Sequence, residues 1–286
     1  MNLDISTPNV GVTLVEGVYS GQNWEQWFLL TSDHHWDNPK CDRNLLESHH
    51  KKAVERNAAI MCFGDLFCAM QGKYDKRKSK EDLRPEHQSN KYLDSLVNTA
   101  IDWYSPYANN YALISYGNHE TSITSRHETD LIERLVSGLN RENKANISKG
   151  TYGGWVVFKF RAPDKSGTRT LKLWYHHGSG GGGPVTKGVI QTNRRSDFIP
   201  NADLVVSGHV HERWELSRMK EDVNTASYQR ELKEQLHIQL PTYKEEYLKG
   251  AGWHVERGAP PKPLGGCWLR LFVKSGKLCY ETNWAR

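Results

Sequence analysis

Short apolar runs recur along the chain, and each gives way abruptly to polar residues. Trp27–Thr31 ends at Asp33-His34-His35, Ala58–Phe63 at Gly64-Asp65, and Tyr111–Tyr116 at Gly117-Asn118-His119-Glu120. Farther on, Leu171–Tyr175 ends at His176-His177-Gly178, and Leu204–Ser207 at Gly208-His209-Val210-His211. Apolar runs this short, bounded by glycine and polar residues, predict buried strands. Between the early runs the period changes. Asn44–Asn57 and Glu128–Leu139 predict helices. Ser89–Trp103 does so most clearly, with Tyr92, Leu93, Leu96, Val97, Ala100 and Ile101 at helical spacing. Near the end, Cys267–Val273 and Lys277–Tyr280 predict a hairpin turning at Ser275-Gly276. Alternating strands and helices predict a layered α/β fold. In open α/β sheets ligands bind beyond the carboxyl ends of strands. Every His- and Asp-rich cluster here follows a strand, so one sheet would carry all of them to one rim.

Composition narrows the picture. The chain has 286 residues, 37% of them hydrophobic, with 10 Trp and 13 Tyr, enough to build a core and to exclude wholesale disorder. No internal repeat and no second core-forming segment stand out. The expectation is one domain over residues 1–286, with a charged insertion around residues 66–90. A net charge of +5 suits an anionic substrate but falls short of the concentrated basic face of a dedicated nucleic-acid binder. The five cysteines, Cys41, Cys62, Cys68, Cys267 and Cys279, form no C-x-x-C pair and are odd in number. That argues against a disulfide framework or zinc ribbon and for a reducing compartment. The N-terminal residues lack a basic segment followed by an apolar one, and no apolar run is long enough for a bilayer. A cytoplasmic protein with no membrane partner is expected, and no partner protein is implied.

In order, the clusters read D-x-H (Asp33, His35), G-D (Gly64, Asp65), G-N-H-E (Gly117 to Glu120), H-H-G (His176 to Gly178) and G-H-x-H (Gly208 to His211). D-x-H and G-D occur by chance, whereas G-N-H-E and G-H-x-H are more specific, and the ordered set is the signal. It resembles the calcineurin-like metallophosphoesterase superfamily over Thr31 to His211. Y-H-H-G-S-G-G-G-G and the long interval from G-D to G-N-H-E are similar to phosphoesterases carried by phages and prophages.

The resemblance implies a four-layer α/β/β/α sandwich with two mixed β-sheets. It implies a dinuclear metal-dependent phosphoesterase that hydrolyses a phosphodiester or phosphomonoester by attack of a metal-bridging hydroxide. Nucleic acid or a nucleotide is one substrate class. A protein or small-molecule phosphatase is the alternative, and a catalytically silent binding module is a third reading that the filled ligand positions oppose. By the same resemblance Asp33, His35 and His211 hold one divalent metal ion, Asn118, His177 and His209 hold the other, and Asp65 bridges them. His119 is the general acid, and Glu120 is placed to orient a histidine. Carboxylates and imidazoles suit Mn, Fe, Zn or Ni, and Mn is favoured; thiolates are absent from the motifs.

Several residues have plainer readings. His34 is expected to face away from the metals. His176 and His177 point to opposite faces if the strand continues through them, which leaves the pair open; the superfamily's habit of using the histidine directly before glycine favours His177. His49 and His50 lie on a charged helix and are expected in solvent. Arg126 and His127 follow G-N-H-E closely and are candidate substrate contacts. Lys73–Arg84 is densely charged, either a solvated loop or a grip on phosphates. The Gly178–Gly183 loop is flexible and its N–H groups suit an anion.

Overall fold

The computed structural model describes residues 2–21, 23–69, 83–164, 167–183, 185–248, 253–256 and 258–286. Among the described residues, thirteen strands form two sheets. One contains β3 (Glu25–Thr31), β4 (Ala59–Cys62), β5 (Tyr111–Ile114), β6 (Ser148–Lys149), β12 (Gly266–Lys274) and β13 (Lys277–Ala285), in the order β13-β12-β3-β4-β5-β6. The other contains β1 (Asp4–Asn9), β2 (Val12–Val18), β7 (Gly153–Arg161), β8 (Thr168–His176), β9 (Leu204–Ser207), β10 (Trp214–Asn224) and β11 (Gln229–Gln239), in the order β1-β2-β7-β8-β9-β11-β10. Both are mixed: β3, β4, β5 and β6 run parallel to one another, as do β8, β9 and β11, whereas β12–β13 and β10–β11 are antiparallel hairpins.

Three hydrophobic clusters separate four layers. Phe28, Leu30, Ala59, Met61 and Phe63 of the first sheet meet Phe158, Phe160, Leu173, Tyr175 and Val206 of the second. The alternate residues Leu29, Ile60 and Cys62 point the other way, onto α1 (Arg43–Glu55), α2 (Tyr92–Tyr104) and α4 (Leu131–Asn143). The far face of the second sheet packs Trp174 and Val205 under Ile199 and Ala202, at the end of α5 (Val189–Phe198). Side chains alternate across each strand, so strands buried on both faces are apolar throughout. That is why these runs were visible in the sequence. The helices start where capping chemistry allows: Asp42 accepts from the Leu45 N–H and Asp130 from the Glu133 N–H, both at 2.9 Å.

The predicted strands, the three helices and the terminal hairpin are all present, with ends shifted by a few residues. Ser275 and Gly276 both take positive φ (50° and 72°), as a tight hairpin turn requires. Other elements carried no apolar signal. The charged stretch after His211 builds most of the β10–β11 hairpin, which pairs with β9 only through Leu236–Gln239 and is otherwise solvated. The expectation for His49 and His50 is corrected. Both are buried: His49 Nδ1 lies 2.9 Å from the Tyr243 hydroxyl and His50 Nε2 2.6 Å from that of Tyr111. Residues 73–82 lie outside the described residues. Arg84 donates to the carbonyls of Asn38 and Cys41, so its guanidinium serves the fold.

Candidate metal centre

The loops after β3, β4, β5, β8 and β9 meet at one rim, where the two sheets present the carboxyl ends of their parallel strands. Among the described residues twelve non-glycine positions have positive φ, and five of them are Asp33 (54°), His35 (45°), Asp65 (51°), His209 (71°) and His211 (54°). Left-handed backbone costs a non-glycine residue of order 1–3 kcal/mol and persists only where its surroundings enforce it. Here they do. The Asp33 N–H donates to the Gly64 carbonyl and the His35 N–H to the Asp65 carbonyl, each at 3.0 Å. The Asp33 carbonyl accepts from the Tyr243 N–H and the Thr242 hydroxyl. The His209 N–H reaches across from the second sheet to Asp33 Oδ2 at 2.9 Å. Glycine is required beside the ligands: a Cβ on Gly208 would strike Ser32 Oγ and Asp33 Oδ2, and one on Gly117 would strike the backbone and carboxylate of Asp65.

Two donor sets result. In one, Asp33, His35 and His211 bring ligand atoms within 4.8 Å of one another. Asp33 Oδ1 lies 3.2 Å from His211 Nε2 and 3.9 Å from His35 Nε2. In the other, Asp65, His177 and His209 do the same, and Asn118 joins them with Oδ1 3.1 Å from His177 Nε2 and 2.8 Å from His209 Nδ1. His177 is fully buried with Nδ1 2.9 Å from the Phe63 carbonyl. That contact puts a ring proton on Nδ1 and turns Nε2 toward Asp65 Oδ2, 3.1 Å away, and Asn118 Oδ1. Asp33 is likewise fully buried, with His211 Nε2 beside its Oδ1. Carboxylate and amide oxygens and ring nitrogens thus converge in one buried site, a donor set that suits divalent cations.

The electrostatics agree. Burial works against ionising Asp65, yet the histidines around it, His177 first, hold its carboxyl well below the usual carboxylate range. Asp33 is lowered in the same way, chiefly by His211 against the cost of burial. Burial, reinforced by His119, pushes His35 well below the normal imidazole value and keeps it a neutral donor.

The remaining expected residues fall in different places. His34 is buried behind the centre with Nδ1 3.0 Å from the Tyr104 hydroxyl. His176 stands outside both donor sets, its ring stacked on Trp174 and its Nδ1 accepting from the Gly178 N–H. The His119 ring sits over the rim, Nδ1 2.5 Å from the Cys68 carbonyl and Nε2 3.8 Å from Asp65 Oδ2. Glu120 orients no histidine in this fold. Its carboxylate accepts from the N–H groups of Gly117, Phe67 and Asp65, and so joins two motif loops. Arg126 and His127 end the helix that begins at Asn118, α3 (Asn118–His127). At 1.5 Å per residue they lie about 12 Å along the axis from the ligand, so the structure does not bring them to the centre. Sequence reasoning missed Cys68, whose thiol groups with one ring nitrogen each of His35 and His119 within 4.8 Å. Its place three residues after Asp65 was the only signal.

A family model described as Calcineurin-like phosphoesterase matches residues 27–213. The chain belongs to the calcineurin-like phosphoesterase family. Metal-dependent hydrolysis of phosphate esters is the family's activity, and the matched span contains every residue of both donor sets. No curated protein matches the chain. Solved structures similar to it include Vacuolar Protein Sorting 29 from Cryptosporidium parvum, at 14% identity over 91% of this chain and 97% of that one, with a TM-score of 0.35. A conserved uncharacterized protein of Streptococcus pneumoniae, described as a predicted phosphoesterase, is 10% identical over 91% and 98%, TM-score 0.31. Plasmodium GAP50, the anchor in the inner membrane complex, is 9% identical over 92% and 85%, TM-score 0.47. No helix among the described residues is long and apolar enough to cross a membrane.

Proposed function

We propose that this calcineurin-like phosphoesterase is a dinuclear enzyme that hydrolyses a phosphodiester, with nucleic acid or a nucleotide as its target. The observation that carries the dinuclear reading is the pair of adjoining donor sets, each complete, with no position lost to a non-ligating residue. Asp33, His35 and His211 would hold one divalent cation, and Asn118, His177 and His209 the other. Asp65 would serve both, since its carboxylate touches the second set and its charge is felt by His35 of the first. When bound, the pair of cations supplies positive charge for the phosphoryl oxygens and a water-derived nucleophile near neutral pH.

The chain's own groups do the rest. Asp33 and Asp65 stay ionised and so remain ligands over the working pH range. His119 is fixed by the Cys68 carbonyl through Nδ1, which leaves Nε2 facing the centre to deliver a proton to the leaving-group oxygen. The diester reading is supported by a net charge of +5, which favours a polyanion.

Metal analysis of protein purified without chelator, paired with kcat/KM for bis-p-nitrophenyl and p-nitrophenyl phosphate in Mn²⁺, tests both parts. Two metals per chain and a faster diester are expected. Activity that survives with one metal would defeat the dinuclear reading. A strong monoester preference would turn the proposal toward a protein or small-molecule phosphatase.

A further inference from the structure

The rim carries one chemically distinct group that the two donor sets do not use. Cys68 is buried at 1% exposure, and its Sγ accepts from the Asn38 amide at 3.4 Å. Its backbone is pinned as well: the Cys68 and Ala69 N–H groups donate to the two carboxylate oxygens of the buried Asp37, at 2.5 and 2.9 Å. The Cys68 carbonyl in turn holds the His119 ring through Nδ1. Thiol and imidazole are therefore fixed to one stretch of backbone and cannot easily drift apart. The third member is His35, whose ring lies edge-on to that of His119 with centroids 5.0 Å apart. His35 Nε2 faces Asp33 and His211, whereas its Nδ1 is buried with no hydrogen-bond partner. With Nε2 turned to the metal set, Nδ1 carries the ring proton and binds a cation only when the proton leaves.

We propose that Cys68, His119 and His35 form a third, thiol-containing cation site at the lip of the metal centre, and that a thiophilic divalent ion bound there inhibits the enzyme. A Cys-His-His set with an open fourth position is a zinc-type site, and sulfur selects zinc or cadmium over manganese. The thiol and the His35 Nδ1–H both give their protons to solvent, so the cation binds a thiolate and an imidazolate that His35 shares with the neighbouring set. Occupation takes His119 out of proton transfer and shares His35 with the neighbouring set. The chain thus distinguishes two classes of cation: manganese-type ions that fill the oxygen- and imidazole-rich sets, and softer ions that stop the reaction when in excess.

This inference rests on the dinuclear hydrolase reading for its effect on rate, but its binding step is read independently of activity. Mn²⁺-loaded protein is titrated with Cd²⁺ while the ultraviolet cadmium–thiolate charge-transfer absorbance and hydrolysis of bis-p-nitrophenyl phosphate are followed together. One equivalent of Cd²⁺ should raise the band and lower the rate in parallel. Cys68→Ser keeps an acceptor for Asn38. It should retain the Mn²⁺-supported rate, lose the band, and need at least tenfold more Cd²⁺ for the same inhibition. A band that persists in Cys68→Ser would place the cation on another cysteine. Inhibition with unchanged Cd²⁺ dependence in the variant would place it in the dinuclear sets. Either result overturns the proposal. Should the protein show no Mn²⁺-dependent hydrolysis at all, the functional reading fails, while the band and its loss in the variant still report on the site.

Discussion

His177 Nε2 lies 3.1 Å from Asp65 Oδ2, and on the opposite side of the ring Nδ1 lies 2.9 Å from the Phe63 carbonyl. With the Nδ1 proton given to that carbonyl, the contact with Asp65 needs either a second proton or a cation. Burial opposes the proton, but the Asp65 and Asp33 charges and the two hydrogen bonds outweigh it, raising the pKa from 6.5 to about 10. The sign follows directly. In metal-free protein this group's stabilising contribution is complete below the unfolded value of 6.5 and is lost as pH rises through about 10. Between those limits, Mn²⁺ uptake should release a proton, read by calorimetry in buffers of different ionisation heat. Metal uptake with no proton release would show that the cation does not replace this proton.

Asp65→Asn should strip the centre more thoroughly than any single histidine change. The carboxylate offers one oxygen to the His119 N–H at 3.0 Å and the other to His177. An amide can still accept from the N–H, so the fold survives, but the negative charge shared by both sets is gone. Metal content should fall toward zero with turnover at background. A variant that holds two metals at normal affinity would remove Asp65 from the bridging role.

His119→Ala should keep both metals and lose about 10²–10⁴-fold in rate, the usual worth of a general acid. The loss should shrink for substrates with acidic leaving groups, which need little protonation. A loss equal for good and poor leaving groups would make His119 a binding residue.

The sequence made the centre legible because its chemistry and its strands are local. Apart from His177, which follows the partly exposed β8, the ligands follow strands whose ends are buried on both faces and apolar without interruption. The β10–β11 hairpin was illegible for the opposite reason: both faces of its outer half meet water, so no hydrophobic period forms. His49 and His50 misled because the lysines beside them are exposed, while the partners that bury them, Tyr243 and Tyr111, come from distant parts of the chain. The roles of Cys68 and Glu120 depend on backbone groups brought close only by folding.

The adjacent histidines should separate cleanly. His177→Ala should deplete one metal selectively, because its Nε2 faces Asp65 and Asn118. His176→Ala should leave both metals bound and cost stability through the lost stack on Trp174, measurable as a lower Tm in the presence of Mn²⁺. Selective metal loss in His176→Ala would exchange the two assignments.

Glu120 gives the sharpest test of how the centre is held together. Its carboxylate is fully buried and accepts from Gly117 at 2.8 Å, Phe67 at 2.8 Å and Asp65 at 3.2 Å. It staples the loop bearing Asp65 to the loop bearing Asn118 and His119. Burial first, and then the Asp65 charge, push its pKa up to about 8, so the carboxylate form that accepts all three bonds prevails above that pH, where the test is made. In Glu120→Gln the amide oxygen can accept on one side, but an NH₂ must then face an N–H on the other. Leaving one buried donor unpaired costs on the order of 1–3 kcal/mol. Glu120→Ala leaves all three unpaired and should cost more. Urea unfolding in excess EDTA reads this loss without the contribution of bound metal. The metals then report on function: Glu120→Gln keeps every ligand, so excess Mn²⁺ should restore much of its activity, whereas Asp65→Asn should not respond. Wild-type urea midpoints and wild-type Mn²⁺ affinity in both Glu120 variants would show that the two loops hold their places without the staple.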